Sequence, residues 1–99
     1  MNEEFKKKIA KDFGLENMDS RQREEMIEKI GNMLFESVVE RAVDVMDENT
    51  MVDFENIVTT AGSDYQKVID FLKSKVVGFD KIVVDEMSRL KRATSGIFA

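Results

Sequence analysis

The sequence predicts an all-α protein, a compact bundle of four or five helices around one long central helix at about residues 20–47. Three observations predict it. The 99-residue chain has no proline and only five glycines, so little in it interrupts a helix. Its apolar residues recur at intervals of three and four, the period of a helix face. Charged residues make up 35% of the chain, as helices with one solvated side require.

The first helix is expected from Glu3 to Phe13. Asn2 supplies a cap, and Glu3 and Glu4 lie in the first turn, where the helix dipole favours acids. Phe5, Ile9 and Phe13 form a narrow apolar seam. Gly14 suits the C-terminal cap, and Leu15 can fold back on the last turn.

The second helix is expected to start after Asp19, with Gln22 at the spacing of a capping box. Nothing breaks its pattern before Asp47-Glu48-Asn49-Thr50. About 27 residues make a helix roughly 40 Å long. A spherical domain of this size is only about 33 Å across. The apolar residues of this helix come in adjacent pairs and define two stripes. Ile27, Ile30, Leu34, Val38 and Val45 make one, and Phe35, Val39, Ala42, Val43 and Met46 make the other. Its second half is therefore expected to be covered on two sides, by its own chain or by a second copy. Val39 and Val43 are assigned to the chain's own core, and Phe35 and Met46 to a candidate partner surface. Gly31 costs about 1 kcal/mol relative to alanine in a helix. It implies either close approach by another helix, the first being the candidate, or a kink.

A third helix is expected from Thr50, where Thr50 and Asp53 fit a capping pattern. Phe54, Ile57, Val58 and Ala61 give its apolar face, and Gly62 stops it. Ser63 with Gln66 caps a fourth helix, whose stripe is Tyr65, Val68, Ile69, Leu72 and Val76. Asp80 is the expected cap of a fifth, with Phe79 stapled to Val84 across it and Ile82, Val83, Met87 and Leu90 as its stripe. The β-branched runs KVVGF and KIVV have no partner strand elsewhere, so the reading stays all-α. Residues 1–93 are expected to form one domain and residues 94–99 a frayed tail.

Composition excludes much chemistry. Without cysteine there is no disulfide, thiol nucleophile or thiolate metal site. Without histidine the usual general base and the commonest metal ligand are missing. No enzyme activity, cofactor or metal is expected. MNEEFKKKIAKDF lacks the apolar run of a signal peptide, and no segment approaches 18 consecutive apolar residues, so the expected location is the cytoplasm. The net charge is −5 and uneven. Glu36 to Asp64 holds eight acids and one base, whereas Tyr65 to Ala99 holds seven bases and four acids. That asymmetry suits intramolecular docking, self-association or a basic partner. It does not suit nucleic-acid phosphates, which need a dominant basic surface.

Several constellations carry alternative readings. Glu36, Glu40, Asp44 and Glu48 stand at successive intervals of four and form one column. The column is a solvated face, an anionic docking face or a carboxylate metal site; the di-iron version fails because it needs histidine. DENTMVDFENIV fails as a calcium loop, because Val52 stands where glycine is required and Val58 where glutamate is required. Phe5-Lys-Lys-Lys-Ile9 has too few apolar residues and too little excess charge for a membrane anchor. Arg89, Lys91 and Arg92 complement the dipole of the last helix, pair with the acidic column or contact phosphate. Arg41 lies on an apolar side of the second helix and either finds a carboxylate or extends its head to water. Six of the methionines, spread from Met18 to Met87, read as core fillers.

FGLENMDSRQREEMIEKIG, LFESVVERAVDVMDE and VIDFLKSKVVGFDKIVVDEM follow one another as a Gly-Leu lead-in, a long acid-capped helix, an acidic turn and a second capped helix. This order, from about Phe13 to Lys91, resembles an uncharacterised family, a domain of unknown function. Its members are short, acidic, helical proteins, mainly from candidate-phyla bacteria. The resemblance implies an all-helical cytosolic protein and brings no functional residues. The expected function is a non-catalytic protein–protein interaction or adaptor module that takes an unidentified protein partner or pairs with itself as a homodimer. The alternative is an acidic inhibitor or nucleic-acid mimic that occupies a partner's basic groove. Nucleic acid and membrane are not expected partners.

Overall fold

The computed structural model describes residues 3–62 and 64–94. Among these, the chain forms five α-helices and no strand: α1 (Glu3–Asp12), α2 (Ser20–Asp44), α3 (Glu48–Ala61), α4 (Tyr65–Lys75) and α5 (Phe79–Ala93). The expected caps at Asn2 and Ser63, and the tail Ser95–Ala99, lie outside the described residues.

α1 ends as its sequence requires. Gly14 takes φ +71°, a conformation that costs glycine least, and the Leu15 N–H donates to the Ala10 carbonyl at 2.8 Å. Leu15 is thereby turned fully into the core.

α2 begins at the expected cap, where the Asp19 side chain accepts from the Gln22 N–H. It ends at Asp44 rather than near Asp47. The reason is competition for Asp47. Its carboxylate accepts the Thr50 N–H at 2.7 Å and caps α3, which starts at Glu48 and not at Thr50. Thr50 thus donates to the cap instead of being it. Val45 leaves the helix and is 64% exposed, so it drops out of the first apolar stripe.

The other two caps also move by one or two residues. Asp64 caps α4, accepting from the Lys67 N–H at 3.4 Å. α5 begins at Phe79, ahead of Asp80, because Gly78 at φ +76° turns the chain sharply into the helix. Phe79 is the first residue of α5 and not the residue before its cap, so it does not hold the staple position; it is buried, and Val84 is 60% exposed.

The molecule measures 45 × 24 × 18 Å, and α2, about 37 Å long at 1.5 Å per residue, accounts for most of the long axis. The most extensive contacts run in series: α1 on α2, α2 on α5, α5 on α4 and α4 on α3. Ile27, Ile30, Leu34, Val38 and Ala42 are the buried apolar residues of α2. Val39, Val43, Phe35 and Met46 are partly buried against the same core, so the second stripe also faces its own chain. The Phe54 and Phe71 rings, 6.2 Å apart, join α3 to α4. Met87 is buried and Met18, Met26, Met46 and Met51 pack against the core, whereas Met33 is exposed.

α5 is the element that holds the α1–α2 pair to the α3–α4 pair, and its seam with α2 contains a charge. Glu86 is only 3% exposed. Its Oε2 accepts from Arg41 Nη1 at 3.4 Å and lies 3.7 Å from Arg89 Nε. Arg41 Nη1 is also 3.6 Å from Asp85 Oδ2, which Lys81 approaches at 2.9 Å. Arg41 therefore takes the first of its two readings, a carboxylate partner. Arg89 is used within its own helix, and Lys91 and Arg92 occupy the last turn of α5.

Removing one partner of a buried ion pair costs more than removing both, because an orphaned charge remains. Arg41→Met should lower the unfolding free energy by about 2 kcal/mol, with Arg89 still compensating Glu86 in part. Arg41→Met with Glu86→Leu should lose less than the sum of the single variants, as read from a double-mutant cycle in urea. The cap and the seam also set a pH dependence. The hydrogen bond from the Thr50 backbone N–H holds Asp47 below its ordinary pKa, and the hydrogen bond from Lys81 does the same for Asp85, helped by Arg41. A carboxylate depressed in the folded state binds protons more readily when unfolded. Its contribution is present above the unfolded value near pH 4 and is lost as pH falls through the folded value. The urea midpoint should fall on acidification below about pH 4, and Asp47→Ala should flatten that fall.

Candidate functional site

α2 and α4 both rest on α5, yet they are not among the closely packed pairs. Between them lies a groove of about 450 Å³. α2 contributes Gly31, Leu34, Phe35 and Val38 to it, and α4 contributes Tyr65, Ile69 and Leu72. Phe79, Val83 and Val84 come from α5, and Phe5 of α1 lies at one wall. The local reasons are plain. Leu34 and Val38 follow the buried stripe of α2, while Phe35, one position on, turns 100° out of it towards α4. There its ring meets Tyr65 with centroids 4.8 Å apart. That contact spans the groove where the two backbones diverge.

Gly31 is buried, and α2 runs through it as one unbroken helix. Gly31 and Phe5 both line the groove, and two turns before Gly31 the side chain of Glu24 pairs with Lys6 of α1 at 2.6 Å. Hydrogen bonding to Glu24 raises the Lys6 pKa.

The polar lining is sparse: Asn32, Gln66, Lys73 and Asp80. Among the described residues, Lys73 and Asp80 form no ion pair, and no group of three or more carboxylates is placed to hold a metal ion. Two of the aromatic and apolar side chains at the groove are more than half open to solvent. Tyr65 is 52% exposed and Val84 is 60% exposed.

The residues expected to form a partner surface are divided by the fold. Phe35 lines the groove, and Met46 packs against the core away from it. Glu36, Glu40 and Asp44 each stand two positions after a buried residue of α2, namely Leu34, Val38 and Ala42. Two positions turn a helix by about 200°, so Glu40 and Asp44 face away from the buried stripe and the groove, while Glu36 stands one turn on from Asn32 at the groove wall. All are exposed, and none forms an ion pair among the described residues. Glu48 is no part of this column, since it opens α3.

Tyr65, Lys73, Asp80, Val83 and Val84 were not singled out as site residues from the sequence. One signal did point to Val83 and Val84. Ile82-Val83-Val84 is three consecutive apolar residues, and three in a row cover more of a helix than one core stripe needs, so one of them must face outwards.

The chain belongs to the family described as protein of unknown function (DUF5663), whose model matches residues 9–94. The match takes in α2 to α5 and leaves Phe5, on the first turns of α1, outside it. No curated protein and no solved structure is significantly similar to the chain.

Phe35→Leu keeps most of the apolar volume and removes the ring contact with Tyr65. It should cost about 0.5–1 kcal/mol in a thermal or urea melt, the low end for an aromatic pair because Tyr65 is half exposed.

Proposed function

We propose that the chain is a non-catalytic, cytoplasmic protein-binding module whose docking surface is the groove between α2, α4 and α5. The observation that carries this reading is an open apolar groove with half-exposed Tyr65 and Val84 at its lip. A tyrosine at the edge gives contact area at low entropic cost. The absence of histidine and cysteine, and a groove with one lysine and one aspartate as its only charged residues, support binding over chemistry. No described helix is long and apolar enough to cross a membrane, and the reading assigns no membrane or nucleic-acid partner.

A second reading is favoured by one specific observation, the exposed and unpaired acids Glu36, Glu40 and Asp44, of which Glu40 and Asp44 stand on the far side of α2 from the groove. They give the chain a face suited to a basic groove, as an acidic inhibitor or nucleic-acid mimic has. Because Glu40 and Asp44 point away from the apolar groove, the two readings separate cleanly by mutation. Val84→Glu places a charge at the groove lip without touching the core. Affinity capture from native lysate with Val84→Glu should lose the proteins that the unaltered chain retains, while Glu40→Lys with Asp44→Lys retains them. Loss with the double reversal alone would favour the acidic-face reading, and retention by both variants would sink the groove and the acidic face together.

A further inference from the structure

We infer that α3 and α4 together form a lid. They move as one body over α5, on the turns at residues 45–47 and 76–78, and movement towards α2 narrows the groove. The first observation is how the helices are fastened. α1 is tied to α2 by Lys6 and Glu24, and α2 to α5 by Arg41 with Asp85 and Glu86. Every other ion pair among the described residues also lies in α1, α2 or α5. α3 and α4 carry both acids and, in α4, lysines. Yet among the described residues no ion pair or side-chain hydrogen bond joins them to the other three helices. They are held to each other by extensive packing and by the Phe54 and Phe71 rings. They are held to the rest by apolar contact, chiefly that of α4 on α5. Such contact has no preferred direction, so packed helices slide where an ion pair would hold one register.

The two turns suit a hinge. Each is loosely packed at one residue, for Val77 is 98% exposed and Val45 is 64% exposed. Gly78 takes φ +76°, and a side chain there would meet nothing within 4 Å, so no neighbour wedges the turn. Met46, beside Val45, is partly buried, and its unbranched side chain can follow a shift. α4 is then a lever. Leu72 and Val76, buried at the end beside Gly78, lie near the pivot, while Tyr65 at the other end is 52% exposed. A helix of this length spans about 16 Å, so a tilt of about 15° moves its far end by about 4 Å. The Phe35–Tyr65 ring pair sits at that moving end and acts as the latch between α4 and α2. The movement follows from how the helices are tied, whatever docks in the groove. With an occupant, the lid opens for entry and closes on what has entered.

Distances between paired spin labels, read by double electron–electron resonance on the full chain, test the lid. The chain has no cysteine, so two introduced cysteines are the only attachment points. Glu40→Cys with Lys67→Cys spans α2 and α4, and Glu40→Cys with Lys91→Cys spans α2 and α5; all three positions are exposed. The α2–α5 pair should give one narrow distance. The α2–α4 pair should give two distances, or one distribution broader by about 3 Å or more, since Lys67 lies near the far end of the lever. Phe35→Leu removes the latch, and should change the weights within the α2–α4 distribution while leaving the α2–α5 pair as it was. An α2–α4 distance as narrow as the α2–α5 distance, with Phe35 and with Leu in its place, overturns the lid. Equal broadening of both pairs overturns it too, because α5 would then move as freely as α4.

Discussion

The contact between Arg41 and Glu86 is the constraint on which the rest depends. The helices pack in series, and the seam between α2 and α5 is where the α1–α2 pair meets the rest. A carboxylate buried there would oppose assembly if left alone. With Arg41 on one side and Arg89 on the other, its charge is compensated, and among the described residues no buried side-chain polar atom lacks a hydrogen-bond partner. An apolar seam of equal volume would hold at least as tightly. What the ion pair adds is position. α2 has a long apolar surface on which α5 can slide by a turn, and only one register brings Glu86 to Arg41.

That register creates the groove. Once α5 is fixed on α2, α4 follows, because only Val76, Val77 and Gly78 separate α4 from α5. α4 is 11 residues long and lies across α5, closing against α3 rather than against α2. The space left between α2 and α4 is bridged by one pair of rings, Phe35 and Tyr65. The groove thus results from the packing order and needs no feature of its own in the sequence. Its apolar lining is the same core surface that elsewhere is covered.

This explains which parts were readable in advance. The helices follow from local periodicity, so the all-α class and all five elements could be read from the stripes. The boundaries failed where two good caps stood close together. Asp47 and Thr50, Ser63 and Asp64, and Gly78 and Asp80 each offer alternatives that tertiary packing decides. Arg41 called for a carboxylate, but nothing local tells which one lies 45 residues away. The acidic column was visible as a run of fours, and its orientation followed only once Leu34, Val38 and Ala42 were known to be the buried set. Of the groove, Phe35 alone was anticipated. The others lie on separate helices whose failure to touch leaves no mark on either one.

Tyr65 has a consequence outside energetics. It is the only tyrosine in a chain without tryptophan. The near-ultraviolet emission of the protein therefore originates at the lip of the groove and not in its core, where the aromatic residues are phenylalanines. The molecule carries its own optical label at the one place where an occupant would be felt, and the packing of the interior is almost dark to the same measurement.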